Sequence, residues 1–334
     1  MNTETSALPA IVQAHMEAMA TPEGDSAALV RLIEANRLPW EALPTWALTN
    51  ASIWEAMIPH MGLTALIRQL GVMTACEAIT MQHSAPAVDR LASAEDLKRS
   101  RVHPFTVLQA LAVYRSGRGL KGSKVWQPIP RVIDALDAAF YAAFGNVETT
   151  GKRIMLAIDI SGSMDSPIMG SPLSCREASA AMALVTLARE PNAVAYGFTA
   201  TGSRPSRWSS IPSGLSPLTI SPRQRLDDVC REMRKLPMGG TDCALPFIVA
   251  KEQNLQIDGF VLYTDNETWA GTQHPFQALR DYRRASGINA RSAIVGMTGT
   301  AFSLADPSDG GMLDCIGFDA SAPAVISEFI KGTA

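Results

Sequence analysis

Arg153-Ile154-Met155-Leu156-Ala157-Ile158-Asp159, continuing into Ile160-Ser161-Gly162-Ser163, is the stretch whose reading decides the fold. Its apolar run has no polar alternation, which is what a strand buried on both faces of a parallel sheet requires. Downstream, helical patterns fall at about Ser174 to Arg189, Pro222 to Lys235, from near Asp242, Pro275 to Ser286 and Ala322 to Ile330. Strand patterns fall between them, at Ala193 to Phe198, Gly259 to Tyr263, Ala290 to Val295 and Cys315 to Phe318. Strands alternating with helices predict a doubly wound α/β domain over 151–334, its parallel sheet covered on both sides.

Upstream the texture is different. From Ser26 to about Gly145 the pattern is helical, broken at Pro39, Pro44, Pro59, Pro86 and Pro104. Ser52 with Glu55 three positions on predicts one helix start. Leu63, Leu66, Ile67 and Leu70 stripe one helix that Gly71 is expected to end, and Val132, Ile133, Leu136, Ala139, Phe140 and Ala143 stripe another. No strand-length β-branched run interrupts the region. It predicts an α-helical, HEAT-like repeat domain over 1–150.

The 334 residues are 47% apolar and 18% charged, with net charge −3. That apolar content excludes wholesale disorder, and the balanced charge excludes a uniformly basic nucleic-acid coat. Met1 to Val12 lacks the basic start and apolar core of a signal peptide, and the richest apolar run, Ala178 to Ala188, is too short to span a bilayer. The five cysteines, Cys76, Cys175, Cys230, Cys243 and Cys315, form no C-x-x-C pair. Buried, reduced thiols in a cytoplasmic protein are the expectation.

Three polar segments fall where a doubly wound sheet places its function, outside the carboxyl ends of the strands. They are Asp159-Ile160-Ser161-Gly162-Ser163, Gly239-Gly240-Thr241-Asp242 and Asp265-Asn266-Glu267. Hydroxyls from Ser161, Ser163 and Thr241, with charge from Asp159 and Asp265, are the oxygens a hard divalent ion takes, magnesium first, manganese or calcium in its place. Gly162, Gly239 and Gly240 are expected to supply the tight turns. The plainer alternative is that the two aspartates cap loops and helices.

This constellation resembles the metal-ion-dependent adhesion site of von Willebrand factor A domains. Longer strings narrow the likeness: Gly239-Gly240-Thr241-Asp242-Cys243-Ala244-Leu245-Pro246, Tyr263 to Gly271, His274-Pro275, Ala278 to Arg283, Ala305-Asp306-Pro307 and Gly311 to Asp314. With His103-Pro104-Phe105, Ala135 to Tyr141 and Thr64 to Arg68 upstream, the chain from about residue 28 resembles the Ro ribonucleoprotein autoantigen, or TROVE, family. The resemblance implies a protein that binds small noncoding RNAs and the single-stranded ends of misfolded RNAs, in a ring of helical repeats closed by the A domain. The family's helical region is longer than the roughly 150 residues here, which puts its manner of Y RNA binding in doubt. A homo-oligomeric ring, several short arcs replacing one long one, is the corresponding expectation. Leu8, Ile11, Val12, Met16 and Met19 within Met1 to Ala20 are expected to cap the stack or dock on a neighbour.

The charge map points to RNA independently. Arg90 to Arg131 holds nine basic residues against two acidic ones, whereas residues 1–89 hold three against nine. Concentrated positive charge is what a phosphate-binding surface needs. Lys98, Arg99, Arg101, His103, Arg115, Arg118, Lys121 and Lys124 are the predicted contacts, with Trp126 and His103 able either to stack on bases or to sit in the core. Gly117-Arg118-Gly119-Leu120-Lys121-Gly122 is formally G-x-G-x-x-G, but a helix precedes it, so a cationic loop is expected rather than a dinucleotide turn. Non-catalytic RNA binding is therefore the first expectation. A metal-dependent module capturing an acidic protein is the second. A metal-dependent phosphoesterase is the third, with His274 the only nearby general acid.

Overall fold

The helical periodicity of the first half is realised as α1 (Ala10–Ala20), α2 (Ser26–Asn36), α3 (Ala51–Met57), α4 (Leu63–Ala75), α5 (Ala85–Ala92), α6 (Ala94–Ser100), α7 (Pro104–Arg115) and α8 (Pro130–Ala142). The computed structural model describes residues 8–200, 214–236, 239–265, 270–299, 303–319 and 321–332. It divides into two units, Met1–Asn146 and Val147–Ala334.

In the first unit, Leu63, Leu66, Ile67, Leu70 and Met73 bury one face of α4, and α8 packs on α5 and α7 through Val132, Ala135, Leu136, Ala139 and Phe140. Two local readings are corrected. The cap of α3 is Asn50, not Ser52: its side chain accepts from the Ser52 amide at 3.0 Å and from the Ser52 hydroxyl at 2.8 Å. Gly71 does not end α4, which runs on to Ala75. A Cβ at Gly71 would lie 2.5–2.7 Å from three ring atoms of Trp126, so this glycine is a socket for an indole.

α1 turns its small residues inward. Ala14 and Ala18 are buried, whereas Leu8, Ile11, Val12, Met16 and Met19 are exposed. The rest of the predicted cap, residues 1–7, lies outside the described residues.

In the second unit the decisive run is β1 (Ile154–Asp159), buried along its whole length. Among the described residues it lies within a six-stranded sheet with β2 (Val194–Phe198), β3 (Leu215–Pro217), β4 (Gly259–Thr264), β5 (Arg291–Gly296) and β6 (Met312–Ile316), in the order β3-β2-β1-β4-β5-β6. The strand order reverses between β1 and β4, which makes that boundary the switch point. The sheet is mixed rather than wholly parallel, because β3 runs antiparallel to β2. Thr199 donates to the Gly214 carbonyl and Leu218 to that of Ala195, so the backbone groups of Pro217 face away from β2.

Helices α9 (Cys175–Arg189), α10 (Leu226–Arg234), α11 (Leu245–Glu252), α12 (Pro275–Ser286) and α13 (Ala322–Lys331) complete the unit. Phe247 and Tyr282 pack on Phe260 with centroids 4.8 and 5.1 Å apart, and the Tyr282 hydroxyl accepts from the Ile257 amide at 2.7 Å. α10 starts four residues later than predicted, after Pro222 to Arg225, and β6 starts three residues earlier, at Met312. Cys175, Cys230 and Cys243 are buried, but Cys76 and Cys315 are only half-buried.

Candidate functional site

The switch point gathers oxygens. β1 delivers Asp159 at its carboxyl end with no measurable exposure. One carboxylate oxygen accepts from the Ser161 amide at 2.8 Å. The other accepts from the Thr264 hydroxyl at 2.9 Å and the Thr241 hydroxyl at 3.2 Å. The Ser161 and Ser163 hydroxyls lie 3.0 Å apart. Asp265 follows β4, and its negative charge acts on Asp159. Thr264 is not among the predicted oxygen donors, because in the sequence it reads as the end of an apolar strand.

Electrostatics separate this cluster from ordinary caps. Burial pushes the Asp159 carboxyl above the usual carboxylate range, and Asp265 adds to the shift, against hydrogen bonds from Ser161 and Thr264. The donors to Asp159 are a backbone amide and neutral hydroxyls. A desolvated carboxylate held by neutral donors is costly in its charged form. A cation relieves that cost. Oxygens ringing an octahedral ion at about 2.1 Å lie about 3.0 Å from their neighbours; the serine hydroxyls have that spacing, and the Asp159–Thr241 pair is wider, at 3.2 Å. The residues therefore fit a hard divalent ion. No group of three or more His, Cys, Asp or Glu gathers for a metal among the described residues, and the oxygens brought together there include the Ser161, Ser163 and Thr241 hydroxyls.

The loops are braced from behind. The Thr199 hydroxyl donates to the Gly240 carbonyl at 2.8 Å, and the Ala270 amide donates to that of Thr241 at 3.1 Å. Asp242 accepts from the Ala244 amide, and Gly271, at φ +93°, sits where a Cβ would meet the Asp242 carboxylate at 2.4–2.7 Å. Gly162 takes an ordinary backbone conformation at the start of a short 3-10 turn, Gly162–Asp165, so it supplies no left-handed turn. Asn266 and Glu267 lie outside the described residues.

The predicted basic residues fall into two groups in the helical unit. Lys98, Arg99 and Arg101 stand at the end of α6, just before α7. Arg115 ends α7, and Arg118, Lys121 and Lys124 belong to the hairpin that follows it. The 12 residues of α7 put about 18 Å between its ends. Lys98, Arg101, Arg115, Arg118, Lys121 and Lys124 are exposed and make no ion pair among the described residues. Arg99 pairs with Asp96 and Glu95, and Arg90 is held internally by Asp96 and the carbonyls of Ile58 and Met61.

Residues 117–126 are a hairpin, not a dinucleotide turn. Trp126 donates its amide to Gly117 at 2.9 Å, Gly119 donates to Lys124 at 3.1 Å, and Arg118 bridges Val125. Trp126 anchors the base: its indole N–H donates to the Tyr114 carbonyl at 2.9 Å, and its ring fills the Gly71 socket. His103 caps α7, its Nδ1 accepting from the Phe105 amide at 3.1 Å, and burial pulls its pKa down to about 4. Both rings thus carry structural contacts.

Comparisons with known proteins find matches in both units. Residues 153–330 match the family described as the Ro60 vWA domain, and residues 26–113 match the TROVE domain. The chain is 42% identical over 306 residues to the RNA-binding protein RO60 of Caenorhabditis elegans, and 40% identical over 327 residues to the RNA-binding protein RO60 of Deinococcus radiodurans. Those alignments take in 91% and 96% of this chain but 46% and 59% of the two relatives. The crystal structure of Deinococcus radiodurans RO (RSR) protein superposes with a TM-score of 0.87 at 39% identity, over 100% of this chain and 65% of that one. The five oxygen-bearing residues all lie within the vWA match, whereas the hairpin cations lie between the two matched regions.

Proposed function

The chain belongs to the Ro60 family, a TROVE domain followed by a Ro60 vWA domain, and on that footing we propose that it binds RNA without catalysing a reaction on it. The observation that carries the reading is the set of exposed cations at the two ends of α7, Lys98 and Arg101 at one and Arg115, Arg118, Lys121 and Lys124 at the other. Unpaired surface charge is available to phosphates at no loss of an internal ion pair, and release of counterions then drives binding. Both matched relatives are named RNA-binding proteins. The ligand proposed is a noncoding or misfolded RNA with an unpaired end.

The test is the salt dependence of binding to a fluorescent RNA with a single-stranded tail. Each single-strand phosphate that is no longer neutralised lowers the log–log salt slope by about 0.7, so Arg118→Ala/Lys121→Ala/Lys124→Ala is expected to reduce it by about 2. An unchanged slope with unchanged affinity overturns the hairpin's role.

The vWA unit is proposed to hold a divalent ion on the Ser161, Ser163 and Thr241 hydroxyls with Asp159 and Asp265, magnesium, manganese or calcium all suiting oxygen donors. Bound there, the ion would supply positive charge that attracts a carboxylate from an acidic protein partner. The chain's own part is to hold the hydroxyls together and to shield Asp159 from water. Self-association into a ring is proposed as well, supported by the apolar side chains that α1 leaves exposed.

A further inference from the structure

We propose that Arg176 is a positioning residue for the divalent-ion site, holding the Ser161–Ser163 loop in its ligand-bearing shape; the inference rests on the metal reading above. Arg176 occupies the first turn of α9 and is fully buried, in a helix otherwise rich in alanine. Its Nε donates to Asp165 at 2.8 Å, and its Nη2 donates to the Ser161 carbonyl at 2.9 Å. One guanidinium edge thus ties together both sides of the short turn that carries the Ser163 hydroxyl. Nη1 is buried with no hydrogen-bond partner among the described residues.

The surrounding chain keeps that strut in register. Cys175 donates its amide to the Ser166 carbonyl at 2.9 Å, and Pro167 bridges Ser174, so the excursion after the turn closes on the start of α9. A capping box between Ser174 and Glu177 fixes the first turn of α9 on which Arg176 stands. Asp165, about half exposed, also receives Arg234 at 3.3 Å. The Asp165 charge balances Arg176, so the strut adds little net repulsion toward a cation at Asp159.

Charge and position make opposite forecasts when Arg176 is changed. If Arg176 acted only as a nearby positive charge, Arg176→Gln would strengthen divalent binding. If it acts by position, both Arg176→Gln and Arg176→Lys weaken it, because neither side chain spans Asp165 and the Ser161 carbonyl with the fixed fork of a guanidinium. Partners one layer behind metal ligands typically change affinity by about 10–100-fold, and a loss of about tenfold is expected here.

The measurement is Mn2+ affinity of the full chain by electron paramagnetic resonance, with melting recorded in chelator and in saturating Mn2+. Asp165→Asn provides a milder variant at a half-exposed position and is expected to weaken binding several-fold. A structural role alone lowers both melting temperatures and leaves the affinity of the folded protein unchanged. Equal Mn2+ affinity in Arg176→Lys and Asp165→Asn and the unaltered chain, or tighter binding in Arg176→Gln, overturns the inference. Absence of Mn2+ binding by the unaltered chain overturns the metal reading itself and the inference with it, an outcome distinct from the first.

Discussion

His103 shows how a side chain that suits nucleic acid can be committed elsewhere. Its Nδ1 accepts from Phe105, which requires the neutral ring, and a positive charge there would oppose the N-terminal end of the α7 dipole. Burial lowers its pKa from 6.5 to about 4, so the unfolded chain takes up the proton first as pH falls. The stabilisation is full above about pH 6.5 and is lost progressively toward pH 4, by at most about 3 kcal/mol. His103→Asn keeps an oxygen for the cap and is expected to flatten this part of the acid limb in urea melts at a series of pH values. An unaltered acid limb would assign the sensitivity to another group. At Asp159 the residue type announces the site because a strand buried on both faces ends in a carboxylate, a conflict with burial that only function or a partner resolves. Arg176 gives no such signal: an arginine at a helix start reads as solvated until the chain is folded.

At the scale of elements, what is legible depends on whether the signal is local. β1, α9 and α12 emerge within a residue or two of their expected bounds, because apolar runs and caps belong to the segment itself. The hairpin after α7 is legible only as a cationic loop, since its base depends on Trp126 reaching Gly71, 55 positions away in the chain. The same packing explains why a glycine sits inside α4 rather than after it. Gly71→Ala is therefore a case where two effects oppose each other. Alanine gains about 1 kcal/mol of helix propensity, whereas a methyl driven into a held indole costs about 1–3 kcal/mol. The indole is fixed by its bond to Tyr114, so the clash is expected to prevail and thermal melting to fall by several degrees. Trp126→Leu in the same chain should recover part of the loss. A rise in melting temperature for Gly71→Ala alone would mean that the ring moves aside freely.

For the whole molecule, the proposed RNA surface and the proposed ion site reside in different units, so their perturbations should be separable. Net charge gives no hint of this, because an acidic first stretch offsets the basic segment that follows it. The chain spans about half the length of the curated relatives it matches. If copies join through the exposed side of α1, multi-angle light scattering at micromolar concentration is expected to report a multiple of 35.8 kDa, and Ile11→Glu/Met16→Glu should return it to that mass. A single-chain mass for the unaltered protein would sink the ring proposal. The sheet's first edge carries a different lesson about association. β3 is three residues long, runs against its neighbour, and presents on its outer rim a proline that has no N–H to offer. Among the described residues, a foreign strand arriving at Pro217 would find no amide to pair with, so this position resists lengthening of the sheet by templated growth.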